Sequence, residues 1–82
     1  MTSPMLSINA ALLLSVEYID KSKVPVAIFV IDGHVKAARS NGKLYARRVE
    51  SMSTNLVGVY SPRVDARHVR EDLVEFFKGR AV

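Results

Sequence analysis

The sequence predicts a small α+β domain: an N-terminal helix, an antiparallel sheet, then a C-terminal helix. Three observations carry this prediction. Apolar residues recur at helical spacing from Ile8 to Ile19 and again from Val69 to Phe77, while the runs between them are rich in β-branched residues. Asp32-Gly33 and Asn41-Gly42 are dipeptides of the kind that reverse a chain in a tight hairpin. A chain of 82 residues is enough for one domain and no more.

Residues 1–6 read as a disordered N-terminal tail, and residues 7–82 as the single domain. From Ser7, an available N-cap, the positions Ile8, Ala11, Leu12, Val16 and Ile19 mark one face of a helix. Asp20–Lys23 is a polar break. Val24–Ile31 is apolar at every position, the pattern of a strand covered on both faces, with Pro25 tolerated only near its first residue. The two turn signals bracket a second strand at His34–Arg39, and a third is predicted over Lys43–Glu50. After the polar Ser51–Thr54, Asn55–Tyr60 reads as a fourth strand, stopped by Ser61-Pro62. Asp65 is placed to cap a final helix in which Val69, Leu73, Phe76 and Phe77 share a face, with Lys78 and Gly79 suited to its C-terminal end.

Composition excludes several classes of function. With no cysteine, disulfide frameworks, thiol catalysis and Cys-based zinc sites drop out. The longest apolar run, Val24–Ile31, falls far short of the ~20 residues of a membrane helix. No basic residue precedes Lys21, so the start does not resemble a signal peptide, and a cytoplasmic protein without a membrane partner is expected. Phosphate-binding loops, nucleophile elbows and metalloprotease helices are missing, and His34 and His68 have no ligating neighbours. No catalytic residue, metal or cofactor is assigned, and an enzyme is not expected. A core this small rarely holds a chain alone without disulfides or metal, so a homo-oligomer is expected.

Charge is the most informative feature. The chain carries 12 Lys and Arg against 8 Asp and Glu, a net of +4. Residues 33–49 hold Lys36, Arg39, Lys43, Arg47 and Arg48 and no acid, so the excess lies on the central hairpin. As a strand, Lys43–Val49 would project Lys43, Tyr45 and Arg47 from one face, a cation–aromatic–cation row of the kind that grips phosphates and stacks a base. The same pattern also fits a solvated sheet face, or a module docking an acidic protein through Lys36, Arg39, Lys43 and Arg47.

The block Lys23-Val24-Pro25-Val26-Ala27-Ile28-Phe29-Val30-Ile31-Asp32-Gly33, followed by Lys36, resembles the first strand of Hfq, the Sm-like RNA chaperone of bacteria. Lys43-Leu44, Val49-Glu50-Ser51-Met52 and Leu56-Val57 are similar to that family's second and third strands, and Arg67-His68 stands near its Lys-His pair. The resemblance implies a strongly bent Sm-like barrel, a six-membered ring and post-transcriptional regulation through single-stranded A-rich or U-rich RNA. It implies RNA contacts from Phe29 and Gly33 on one face and from Arg67 and His68 on the other, with Lys21 and Lys23 near the rim. The family closes its barrel with a short fifth strand where Val69–Phe77 here has helical periodicity. Gly58-Val59, Pro62, Ala66, His68 and Arg70-Glu71 also resemble the end of the carbon storage regulator family, whose members are dimeric RNA-binding regulators. Together these readings name Phe29, Gly33, Lys36, Lys43, Tyr45, Arg47, Arg67 and His68 as candidate RNA contacts.

Overall fold

Ser7 opens the first helix as predicted: its Oγ accepts the backbone N–H of Ala10 at 3.1 Å. The computed structural model describes residues 6–79. Residues 1–5 of the expected tail, and 80–82, lie outside the described residues, whereas Leu6 packs against the core. Along the chain run α1 (Ile8–Asp20), β1 (Val26–Ile31), β2 (His34–Arg39), α2 (Tyr45–Ser51), a 3-10 turn at Ser53–Asn55, β3 (Leu56–Tyr60) and α3 (Ala66–Lys78).

β1 is the centre. It pairs antiparallel with β2 on one side and β3 on the other. Pro25 stands just before it, where its missing N–H costs nothing, and its carbonyl accepts the N–H of Ser40 at 2.9 Å to extend the hairpin. Asp32 (φ 50°) and Gly33 (φ 76°) both take the left-handed conformation that a two-residue turn between right-twisted strands requires.

Alternation along β1 divides the core in two. Val26, Ile28 and Val30 face α1 and α3, joining Ala11, Ile19, Val35, Tyr60, Val69, Leu73 and Phe76. Ala27 and Phe29 face the other way, joining Ala38 under Tyr45, Val49, Met52 and Leu56. The layers are therefore α1 and α3, the sheet, and α2, and burying each large side chain of β1 contributes about 1.5–3 kcal/mol. Among the described residues no helix is long and apolar enough to cross a membrane.

Lys43–Glu50 corrects the prediction: it is not a strand but a turn at Lys43 and Leu44 leading into the helix Tyr45–Ser51. Asn41-Gly42 does not reverse the chain into a hairpin. Gly42 N–H bonds to Arg39 and Tyr45 N–H bonds to Gly42, so successive turns wind forward into a helix. Tyr45, Val49 and Met52 then fall on one helical face and close over Phe29, a cover that a strand at the outer edge of β2 would not supply. The sheet accordingly has three strands, not four, and is open rather than closed into a barrel. At the far end the helical pattern prevails: Val69–Phe77 lies within α3.

β3 is locked to α3 by Tyr60, which is buried and donates its hydroxyl hydrogen to Asp72 Oδ2 at 2.8 Å. Burial first, then the hydrogen bond and charge of Asp72, push the phenol well above its ordinary range, so it remains a donor at any ordinary pH. The ring fits because position 58 is glycine. A Cβ there would lie 2.5 Å from the Tyr60 hydroxyl oxygen and 2.7 Å from Cζ. Gly58→Ala must displace Tyr60 from Asp72 and is expected to cost roughly 1–3 kcal/mol. A lower urea midpoint at unchanged slope would show it, and a wild-type midpoint would contradict it.

Candidate nucleic-acid interface

The helical turn of 45–51 rearranges the basic segment. Tyr45 is half-buried, its ring packed on the Ala27–Phe29–Ala38 cluster rather than projecting in a row with Lys43 and Arg47. Two residues on, Arg47 has rotated away from the sheet. Arg48 comes round beside Tyr45 instead, exposed at the border between α2 and β2.

Two open grooves flank Arg48. The larger, of about 580 Å³, is lined by Arg39, Lys43, Leu44, Tyr45 and Arg48 over Ala38. The second, of about 450 Å³, is lined by Lys36, Arg48, Ile31 and Met52, with Phe29 in its floor. Each joins an apolar bed to a cationic rim. Among the described residues the side-chain ion pairs are Glu17–Lys21 and Asp65–Arg67, and His68 stands beside Asp72. Lys36, Arg39, Lys43, Arg47 and Arg48 take part in none of these, and no acid lies between residues 33 and 49 to offset them. Such cations keep their counterions in solution and release them to a polyanion.

The other predicted contacts lie elsewhere. Phe29, expected to stack on a base, is 1% exposed and serves as core. Gly33 is at the β1–β2 turn, beside Phe76 and Phe77 at the C-terminal end of α3. Arg67 and His68 are exposed at the opposite end of that helix, in the layer across the sheet from α2. The Arg67 guanidinium donates to Asp65 Oδ2 at 3.2 Å. His68 Nε2 lies 3.7 Å from Asp72 Oδ2, with its ring edge-on to Tyr60. The structure thus brings Lys36, Lys43 and Tyr45 together with Arg39 and Arg48. It separates them from Gly33 and from the Arg67–His68 pair. Arg48 was hidden by period-two alternation, and helical spacing from Leu44 and Tyr45 is the signal that finds it.

No protein-family model, curated protein or solved structure matches this chain.

Asp65 caps α3 as predicted, accepting the backbone N–H of Arg67 at 2.9 Å. That bond, then the Arg67 side chain, holds its carboxyl below the ordinary 3.8. A lowered folded-state value means the stability it lends is complete above the unfolded value and is lost as pH falls through the folded one. Asp65→Asn, an equally good cap, is expected to flatten the fall in stability below about pH 4 while leaving helicity intact. Thermal unfolding at a series of acidic pH values measures this, and parallel curves for the two proteins would refute it.

Proposed function

We propose that this protein binds single-stranded RNA through the face shared by β2 and α2. The observation that carries the reading is the acid-free cluster of Lys36, Arg39, Lys43 and Arg48, arranged around grooves with apolar floors and outside every ion pair described above. Rim cations suit phosphates. The floors of Leu44, Tyr45, Ile31 and Met52 suit the faces of unpaired bases, which a duplex does not present.

The resemblance to Hfq supports the ligand class, A-rich or U-rich single strands, and a role as an oligomeric RNA chaperone in post-transcriptional regulation. On this reading α2 takes the part assigned to a strand in that family, and the base platform is Tyr45 with Leu44 rather than Phe29. Arg67 and His68 form a separate, weaker contact on the α3 side. A second reading has one observation in its favour. Leu44 is 49% exposed amid Lys43 and Arg48, a combination that would also seat an acidic protein.

Binding of labelled oligo(A) and oligo(U) at several salt concentrations tests the proposal. Affinity is expected to fall at least about tenfold between 50 and 200 mM salt. Lys36→Ala, Lys43→Ala and Arg48→Ala should each weaken every RNA and lower the salt slope by about 1. Salt-independent binding, or a triple variant that binds like wild type, would overturn the reading. Retention of an acidic protein in preference to either RNA would favour the alternative.

A further inference from the structure

Arg48 stands where the two grooves of the α2–β2 face meet. It lines both, as does Ala37 of β2, and no other cation does. The backbone fixes the order of what lies on either side. Tyr45 and Arg48 of α2 and Met52 at its C-cap are spaced i, i+3 and i+7, one stripe of a helix. Arg48 is therefore about 4.5 Å along the axis from Tyr45 and about 6 Å from Met52. β2 runs the other way alongside, with Ala38 in the Tyr45 groove and Lys36 in the Met52 groove. The two grooves are thus consecutive along one seam. An apolar seat of Leu44 and Tyr45 comes first, then a guanidinium, then an apolar seat of Ile31 and Met52.

We infer that this seam takes single-stranded RNA two nucleotides at a time, one base in each groove and the phosphodiester between them on Arg48. The inference rests on the RNA reading above and adds a register to it. One cation between two apolar seats matches one phosphate between two bases. Arg48 is exposed and takes no part in the ion pairs described above. Glu50, the nearest acid on α2, is two residues away, a spacing that does not face it. Its planar fork can bond two oxygens of one phosphate at once. A single guanidinium serves one phosphate, so a linked pair of nucleotides fills both seats better than two separate ones. The seats also set the shape of the step. Tyr45 and Met52 are about 10 Å apart along the axis, whereas successive bases in a duplex rise only about 3.4 Å. The bound bases are therefore splayed, each packed on protein rather than on its neighbour.

NMR titration of the full chain with three small probes tests the register: adenosine monophosphate, the dinucleotide ApA, and ApA with an uncharged methylphosphonate link. The monophosphate carries more charge than ApA, so a surface that reads charge alone would prefer it. The wild-type chain is expected to bind ApA at least about tenfold tighter than the monophosphate, and to lose about tenfold when the link is neutral. In Arg48→Ala the neutral link should cost nothing further, while Lys36→Ala should keep the full penalty. ApA binding no tighter than the monophosphate would overturn the inference. So would a neutral-link penalty that survives Arg48→Ala or vanishes in Lys36→Ala. Oligo(A) titrated alongside separates the two levels. If it binds with steep salt dependence while the dinucleotide tests fail, the register alone falls. If it does not bind, the RNA reading falls and the register with it.

Discussion

The structure depends on one strand needing cover on both sides. Val26–Val30 is almost wholly buried, and its alternation sends Ile28 towards one layer and Phe29 towards the other. Leaving either side open would expose apolar surface at a cost of several kcal/mol, a large share of a small domain's stability. α1 and α3 satisfy one side. The other is satisfied only because the segment after β2 turns back over the sheet as α2. Arg48 rides on that cover and is brought beside Lys36 and Arg39 of β2, so their grouping is a by-product of sealing Phe29.

Much of this was legible in the residues. Continuous apolar character marked β1 as the doubly covered strand, Asp32-Gly33 marked its hairpin, and the Ser7 and Asp65 caps marked both long helices. The segment 43–50 was not legible, for two physical reasons. Over so few residues, alternation and helical spacing select overlapping positions: Tyr45 and Val49 satisfy both. Asn-Gly is also only a local preference, and the need to cover Phe29 is a tertiary demand that outweighs it. That one change moved Arg48 into the candidate site and Arg47 away from it. For Phe29 the strand was read correctly, but burial reserved the ring for packing.

α2 has seven residues, no side-chain cap at either end and no fully buried residue. Its amides are therefore expected to exchange with solvent through fraying of that turn alone, while those of β1 wait for global unfolding. A multivalent anion gripping Lys43 and Arg48 would slow exchange in the first set and leave the second nearly untouched. The proposed binding face would then rest on the one α-helix of the described residues that buries no residue fully, and would be tightened by what it holds.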